Sequence, residues 1–467
     1  MSLYDAYGRE VETRQLREEQ AGPTLAGVRN IYSVMHPAAG LTPEKLTGLL
    51  RQAEFGDPFL YLELAEEMEE KDLHYLAVLG TRKQAVAQLD VVIRPASNSA
   101  ADVRLAAMAS EFLLQGTLNL REALFDMLDA IGKGFSATEI IWDTAGAEWY
   151  PTRLLWRDPR WFLFDWISGR ELLVRTLQGE GQSIPQTTDS GYTHVDARLL
   201  PAGRVARNAG GIGAQPLTAP LAPFKFVVHY GQAKSGLPIR GGLARAAAWA
   251  YLFKNYVLKD WVTFAEVFGQ PLRLGKYGAG ATENDKSALL QAVGNIGTDA
   301  AAIIPDSMII EFTQARQSGS TDLYERFTEY IDRQLSKAVL GQTLTTELPR
   351  GGGSRAAAQV HQMVRRDILG ADAQRLGATL TRDLLRPLID LNAGPQRRYP
   401  QLELALPDDQ DVKVFADIVA ELADRGLRVS QKAVLEKLGL AAAVANDPVL
   451  RPAGLSAEHG DSTASSV

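Results

Sequence analysis

The sequence predicts an α+β protein in which helices predominate. Apolar residues recur at helical spacing along most of the chain, whereas the β-branched and aromatic runs typical of strands are short and lie mainly before residue 230. Of the 467 residues, 46% are apolar and 22% are charged, which is the composition of a folded protein with a large core. This composition excludes intrinsic disorder over most of the chain.

The chain is predicted to begin with a polar arm, residues 1–22, that lies on the surface of something else. Thr42 is a suitable N-cap for the first helix, and the β-branched run at residues 91–93 is typical of a strand. The predicted elements are helices near residues 42–50, 61–71 and 72–88, a strand at 89–95, and helices at 101–114 and 120–131. The third helix is predicted to pack through Leu73, Leu76, Leu79, Lys83 and Val86.

A tryptophan-rich hairpin is predicted next, with strands at residues 135–142 and 149–156 around a turn at 143–146. Five of the seven tryptophans lie between Trp142 and Trp166. They could form a platform on which nucleic-acid bases stack, or they could form the core of a β-rich layer. The core is the favoured interpretation, because no Arg/Lys cluster alternates with them as a strand-binding groove requires.

Residues 178–223 are rich in Gly, Pro, Ser and Thr and are predicted to form a long insertion or mobile loop, before a short buried strand at 224–229. Helices dominate thereafter. Asp322 and Glu325 resemble a capping box, and Gly341 stands where a helix-ending glycine is expected. The predicted elements are a helix at 243–268, a strand at 272–277, a helix at 283–293, a strand at 301–312, a helix from 322 with apolar positions 323, 327, 331, 335 and 339, a flexible loop at 342–355, a long helix at 356–391, a helical pair at 412–438 interrupted at Arg425-Gly426, and a disordered tail at 448–467.

Catalytic motifs are absent from the sequence: it contains no phosphate-binding P-loop, HExxH zinc motif, nucleophile elbow or dinucleotide fingerprint. The six histidines show no metal-ligand spacing. Residues 351–354 (GGGS) could cradle a phosphate ahead of a helix, although a flexible loop with Ser354 as N-cap is favoured. Residues 408–411 (DDQD) resemble the start of a cation loop but lack its glycine and later glutamate, so a helix cap is favoured. No catalytic residue, cofactor or metal is predicted.

Charge and cysteine content restrict the possible partners. The chain carries 49 Lys and Arg against 56 Asp and Glu, a formal charge of −7, whereas tight nonspecific nucleic-acid binders are normally basic. It has no cysteine, which excludes disulfides and thiolate metal sites. No apolar run is long enough to cross a membrane, and the first residues lack the apolar region of a signal peptide. We expect a protein of the cytoplasm, without a membrane partner.

Several short stretches, in this order along the chain, resemble the portal proteins of Mu-like tailed bacteriophages. The likeness extends over about residues 4–445, and it depends on the order of the stretches more than on any one of them. They are Gly40–Pro43 (GLTP), Ala53–Pro58 (AEFGDP), Met68–His74 (MEEKDLH), Arg82–Val86 (RKQAV) and Phe264–Leu272 (FAEVFGQPL).

The resemblance implies the portal fold, with wing, stem, clip and crown regions. The implied regions are an N-terminal arm (1–22), an α/β wing (23–235), a first stem helix (236–269), a clip (270–318), a second stem helix (319–341), a tunnel loop (342–355), a long wing helix (356–393), a crown (394–447) and a disordered tail (448–467).

The resemblance also implies a role without catalysis. Portal proteins of this type form a ring, expected to contain twelve copies, at one vertex of the capsid. Double-stranded DNA is packaged through the ring by the large terminase and later leaves through it, while capsid and head-completion proteins dock on it. The expected location is the virion, and the host cytoplasm during assembly.

An acidic ring should mostly repel DNA and confine contact to a few cations, because each neutralised phosphate adds affinity that slows sliding. The candidates are Arg350 and Arg355 in the tunnel loop, and Lys337, Arg333 and Arg326 on the second stem helix. For these stem residues, ordinary solvated or intersubunit charge is an equally weighted alternative. Gly351, Gly352 and Gly353 are predicted to let the loop change shape.

Two other functions remain open from the sequence. The chain could be another structural protein of a phage head, such as a connector or adaptor. It could also be a soluble α/β enzyme whose acidic residues match no familiar motif.

Overall fold

The computed structural model describes residues 3–5, 7–22, 36–116, 118–175, 218–268, 273–278, 280–294, 301–305, 320–343, 355–406 and 412–426, with five further positions between 428 and 435. The chain divides into two compact units, Met1–Leu406 and Pro407–Val467. Helices predominate and four small sheets are present among these residues, so the predicted α+β class is confirmed. None of the described helices is long and apolar enough to span a membrane.

The described residues of the first half of the chain include six α-helices. Thr42 caps the first helix by accepting a hydrogen bond from the Lys45 N–H, and Asp72 caps the third by accepting from the N–H groups of His74 and Tyr75. The five predicted helices are confirmed, except that the fifth ends at Met127 and a separate short helix follows it. The six are α1 (Pro43–Glu54), α2 (Phe59–Lys71), α3 (Leu73–Ala87), α4 (Ala100–Ser110, continued by a π-helical turn at Glu111–Gln115), α5 (Leu120–Met127) and α6 (Ala130–Lys133).

The buried face of α3 differs from the prediction at its start. Leu73 and Leu76 are 78% and 48% exposed, while Tyr75 and Val78 are buried beside the predicted Leu79. The first turn of α3 is apolar on both sides, so helical spacing alone does not decide which side faces the core.

A three-stranded antiparallel sheet lies at the centre of the first unit, in the order β3-β2-β7. Its strands are β2 (Phe135–Ala145), β3 (Glu148–Arg157) and β7 (Phe226–Tyr230). The predicted turn at 143–146 is wrong: β2 continues to Ala145, which pairs with Glu148. Gly146 adopts a positive φ of 64°, which permits a two-residue turn and lets pairing extend to the tip of the hairpin.

The tryptophans divide between core and surface. Trp142 is buried and its Nε1 donates to the carbonyl of Phe224 at 2.8 Å, while Trp149 and Trp161 pack half-buried against the core. Trp156 and Trp166 are exposed. The core interpretation therefore holds for three of the five and not for the other two.

Side chains from the end of the long helix bind both outer strands of this sheet. The Val228 N–H of β7 donates to the Asp383 carboxylate at 3.0 Å, and its carbonyl accepts from Arg382 at 3.0 Å. On β3, the N–H and carbonyl of Trp149 both bond the Asn392 side chain at 2.8 Å. At these positions, hydrogen-bonding groups on the edges of the sheet are already satisfied.

The N-terminal arm packs on the chain's own sheet, which corrects the expectation that it lies on another body. Leu16 and Ala21 are fully buried. The carboxylate of Glu139, on β2, accepts hydrogen bonds from the backbone N–H groups of Gln20 and Ala21. The Lys225 ammonium donates to the Leu16 carbonyl at 2.8 Å. A buried carboxylate and a buried lysine thus hold the arm by its backbone.

Three smaller sheets complete the strands. The first pairs β1 (Asp90–Arg94) with β10 (Gln401–Ala405). The second contains β4 (Phe162–Phe164), β5 (Leu172–Arg175) and β6 (Thr218–Pro220). The third pairs β8 (Arg273–Tyr277) in parallel with β9 (Ala301–Pro305), and α8 (Glu283–Gly294) lies between these two strands in the sequence. Most of the predicted insertion at 178–223 lies outside the described residues, but β6 is a strand within it. The predicted strand at 301–312 is described only to Pro305.

The remaining helices follow the prediction closely. They are α7 (Ala244–Phe268), α9 (Ser320–Leu340), α10 (Arg355–Leu380, joined by a π-helical turn at Thr381–Leu385 to α11, Arg386–Ala393) and α12 (Val412–Asp424) in the second unit. The capping box at Asp322 and Glu325 is wrong, because α9 begins at Ser320 and both residues lie inside it. The helix break at Gly426 is confirmed, with φ of 87°. The predicted tail at 448–467 lies outside the described residues.

Candidate functional site

The predicted channel residues of the second stem helix lie on α9, which packs on α3 and runs antiparallel to α7. Its core side carries Ile331, Leu335 and Val339, as their spacing predicts. Leu323 and Phe327 were assigned to the same row but are 66% and 36% exposed. The first half of α9 therefore has an apolar surface that the described part of the chain leaves uncovered.

A buried lysine fastens the middle of α9. The Lys254 ammonium, on α7, lies 2.9 Å from the Asp72 carboxylate at the start of α3 and 2.6 Å from the Asp332 carboxylate on α9. Close by, His74 and Ser336 share a hydrogen bond of 2.7 Å. The attraction between the lysine and the two carboxylates offsets the free-energy cost of burying its charge. Lys254 thus joins three helices at one point.

Aromatic rings fasten the amino-terminal part of α9. The Trp261 and Tyr324 rings are stacked with centroids 6.2 Å apart, and the Phe264 ring lies 5.9 Å from Tyr324. Stacked aromatic pairs of this kind stabilise a contact beyond the area they bury. Lys254 and Trp261 thus hold α7 against α9 at two positions along the helices.

The carboxyl end of α9 is held by a glycine and an arginine. Gly341 has φ of 72°, and its N–H closes the helix by donating to the Lys337 carbonyl at 3.1 Å. A Cβ at this position would lie 2.7 Å from Ile368 Cδ1 and 2.8 Å from Val364 Cγ1 on α10, so the close approach and the positive φ both favour glycine. Arg82 of α3 donates to the Val339 carbonyl at 2.7 Å and forms two hydrogen bonds to the Asp372 carboxylate on α10.

The solvent side of α9 is organised in three rows. Arg326, Arg333 and Lys337 are seven and four residues apart, so they form one row in the middle of the exposed side. One flank of this row is acidic and the other is apolar. The acidic flank contains Asp322, Glu325 and Glu329, and the apolar flank contains Leu323, Phe327 and Tyr330.

The three predicted cations of α9 are not equivalent. The Arg326 guanidinium lies 3.6 Å from the Asp322 carboxylate, and the Arg333 guanidinium lies 3.5 Å from the Glu329 carboxylate. Lys337 is exposed and forms no ion pair with any described residue. Pairs as exposed as these contribute about 0–1 kcal/mol. The structure thus brings the three together on one surface and leaves Lys337 with the least neutralised charge.

The other predicted site residues cannot be placed in the same way. Arg350 and Gly351, Gly352 and Gly353 lie outside the described residues. Arg355 is the first residue of α10, and its side chain is likewise outside the described part. Their assignment stays a prediction.

Comparison with known proteins identifies the family. The sequence pattern of the family described as the portal protein of Mu bacteriophage matches residues 62–440. The chain is also 36% identical over 420 residues to the Mu-like prophage FluMu protein gp29 of Haemophilus influenzae, and 33% identical over 418 residues to the portal protein of Escherichia phage Mu. Each alignment covers 89% of this chain and 74% of the relative. The chain belongs to the Mu portal protein family.

The similarity to a solved structure is weaker than the similarity to these sequence relatives. A chain from the neck of an empty GTA particle matches 88% of this chain and 100% of its own length, with 12% identity and a TM-score of 0.45. At this level of similarity the match carries no argument about fold or function. Membership of the portal family rests on the sequence relatives. Portal proteins of this family are structural components of the phage particle, and neither comparison points to a catalytic activity.

The residues that fix α9 in this portal protein were missed by reasoning from the sequence. Lys254 had a detectable signal, since it is a charge within the apolar run of α7. Arg82 was noticed only as part of the stretch that resembles the family. Their partners, Asp332 and Asp372, lie 78 and 290 residues away, and spacing along the chain gives no information about such pairs.

Two further clusters of buried charges lie in the first unit, away from α9. The Lys133 ammonium lies 2.6 Å from Asp129, 2.7 Å from Glu66 and 3.8 Å from Glu69, and burial raises the pKa of Glu69 to about 7. Glu139 pairs with Arg157 at 2.8 Å beside Lys225, whose pKa burial lowers to about 8. Within the described ranges, no group of His, Asp and Glu is arranged to hold a metal ion.

Proposed function

We propose that this chain acts as the portal of a Mu-like phage particle. In this proposal, copies of the chain form a ring at one capsid vertex, with twelve expected. Double-stranded DNA passes through the ring, driven inward by the large terminase and released later, and capsid and head-completion proteins dock on it. The three-row surface of α9 is the observation that carries the proposal. In a ring, each copy contacts its two neighbouring copies through two different surfaces. A helix that faces the channel therefore needs a middle row toward the channel and a different flank toward each neighbouring copy.

The charges on α9 suit a sliding contact with DNA. Arg326 and Arg333 are partly neutralised by Asp322 and Glu329, and Lys337 is the one cation of this helix without an ion-pair partner among the described residues. Since every phosphate–cation contact adds affinity, few and weakened cations let the duplex move. The net charge of −7 per copy agrees with a mostly repulsive wall.

The regions of the chain take the roles that the family resemblance implies. In this proposal α7 (within 236–269) and α9 (within 319–341) are the two stem helices, and residues 342–355 are the tunnel loop with Arg350 and Arg355 as further DNA contacts. The remaining assignments are the arm (1–22), the wing (23–235), the clip (270–318), the wing helix (356–393), the crown (394–447) and the tail (448–467).

The decisive experiment is imaging of the purified full-length protein, with its mass in solution. Twelve copies of a 50.9 kDa chain give about 611 kDa, and images should show a ring with a central hole. A protein that remains monomeric at every concentration and salt tested contradicts the proposal. A closed assembly with no opening wide enough for a duplex supports an adaptor or other head protein instead.

Cysteine crosslinking tests which rows meet the neighbouring copies, since the natural chain has no cysteine. Glu325→Cys together with Phe327→Cys places one thiol on each flank of α9. Oxidation of the assembled protein should give a ladder of crosslinked copies in a denaturing gel. We call the middle row of Arg326, Arg333 and Lys337 the channel row. The matched control, Arg326→Cys with Lys337→Cys, places both thiols on the channel row and should give no ladder. The reverse pattern contradicts the proposed orientation of α9.

A further inference from the structure

We propose that Arg82 is the positioning residue of the channel row: it holds the carboxyl end of α9, and with it Lys337, in a fixed place on α10. This inference rests on the proposed function, in which Lys337 faces DNA. The contact itself is independent of that function, so the two can be tested separately.

The geometry is that of one guanidinium joining three helices. Its Nη1 donates to the Val339 carbonyl at 2.7 Å, and its Nε and Nη2 donate to the two oxygens of Asp372 at 2.7 and 3.1 Å. The Arg82 side chain is 16% exposed and that of Asp372 is 5% exposed. A two-pronged arginine–carboxylate contact shielded from water fixes direction as well as distance.

Val339 is well placed for this role. The carbonyls in the last turn of a helix have no partner within it, and a cation there also interacts favourably with the helix dipole. Val339 lies two residues after Lys337, in the turn that the Gly341 N–H closes onto the Lys337 carbonyl. A shift at Val339 therefore moves Lys337.

Lysine cannot replace arginine in this contact. An ammonium is a single point of charge, whereas the planar guanidinium directs separate N–H groups at the carboxylate and at the helix end. In Arg82→Lys we expect the charge to stay near Asp372 and the bond to Val339 to be lost. The variant thus separates positioning of α9 from neutralisation of a buried carboxylate.

The experiment measures a distance between two spin labels in the assembled full-length protein. Ala338→Cys on α9 and Met363→Cys on α10 are exposed positions in a chain without other cysteines, and excess unlabelled chain suppresses distances between copies. With native Arg82 we expect one narrow distribution of the distance between the two labels, and Arg82→Lys should broaden that distribution about twofold. The matched control, Arg94→Lys, alters an exposed pair with Glu403 and should change nothing.

A second variant distinguishes positioning from general loss of stability. Asp372→Asn removes the charge pair but keeps the Arg82–Val339 bond and a side-chain oxygen on α10 that accepts from Arg82, so it should lower Tm by at least as many degrees as Arg82→Lys while the distribution stays narrow. An unchanged distribution in Arg82→Lys overturns the proposal, and so does equal broadening in both variants. If Arg82→Lys broadens the distribution while Lys337→Ala packages DNA normally, the positioning role stands and the proposed DNA contact of α9 fails.

Discussion

The central sheet and the α3–α7–α9 helix cluster are both held by buried charges, but the contacts of the sheet reach both of its outer strands, whereas those of the cluster reach one side of α9. In the sheet, Glu139 is surrounded by Arg157, Lys225 and the backbone of the arm, and both outer strands are bound by side chains from the long helix. In the helix cluster, Lys254 and Arg82 hold only the inner side of α9. Its outer side exposes cations, carboxylates and apolar residues. The difference suits the function proposed above, in which the sheet serves folding and the outer side of α9 meets DNA and neighbouring copies.

The largest effect is expected from removing Glu139. Glu139→Ala leaves Arg157 and Lys225 buried without their shared carboxylate, and breaking such a buried cluster costs about 3–5 kcal/mol. The free energy of unfolding should fall by that amount in thermal or denaturant unfolding. Glu148→Ala, an exposed carboxylate at the tip of the same hairpin, is the control and should stay within about 0.5 kcal/mol of the parent. Equal effects of the two variants would show that the arm and its carboxylate add nothing to the sheet.

Acid should weaken the packing of the sheet against the long helix through His229. This histidine is buried beside Thr379, and burial, with a smaller contribution from Arg382 and Arg375, lowers its pKa to about 4. The unfolded chain takes up the proton near pH 6.5, so stability from this group is complete above pH 6.5 and is lost as pH falls to 4. The loss is about 3 kcal/mol.

The His229 prediction is checked by comparing the parent with His229→Gln across that pH range. Other groups titrate in both proteins; Glu69, with its pKa raised to about 7, contributes the opposite slope between pH 4.5 and 7. The difference between the two proteins isolates His229 and should shrink toward low pH. A constant difference from pH 7 to pH 4 contradicts the assignment.

A smaller effect is expected in the helix cluster. Lys254→Met removes the cation between Asp72 and Asp332, but Asp72 keeps its two backbone N–H donors and the Asp332 side chain is 22% exposed. We therefore expect a loss of about 2 kcal/mol, below the range for a fully buried pair. Lys259→Met, on an exposed position of the same helix, is the control for thermal unfolding. A loss as large as that of Glu139→Ala would show that the helix cluster depends on its buried charge as strongly as the sheet does.

The smallest effect on stability, and the largest on function, is expected for the channel row. Lys337→Ala should change the free energy of unfolding by less than about 0.5 kcal/mol, because the side chain is exposed. It should lower nuclease-protected DNA per particle more than Arg326→Ala, whose charge is already paired. Replacing Arg350 and Arg355 by Ala should likewise leave assembly intact and reduce packaging. Particles that fill and retain DNA normally with these changes would contradict the site assignment, and Arg94→Ala serves as the surface control.

Local pattern predicted most of the helices and strands, because caps, apolar spacing and β-branched runs act over a few residues. Thr42, the run at 91–93 and Gly341 are examples, and α9 contains the three cations that the sequence placed on one helix. The pattern failed where two sides of a helix were equally apolar, as at Leu73, and where a turn depended on one glycine, as at Gly146. It could not find Lys254–Asp332, Arg82–Asp372 or the arm on Glu139, since each is a tertiary pair whose energy depends on burial.

The hydrogen bonds on the two outer strands of the central sheet restrict how copies of the chain can pair through their strands. A strand with free N–H and carbonyl groups can recruit another strand, and that mode of growth has no built-in end point. Here Arg382, Asp383 and Asn392 already occupy such groups within each chain. These contacts disfavour strand pairing between copies at those positions, so the ring proposed above would depend on side-chain contacts between helices, a kind of association that can close on itself and stop.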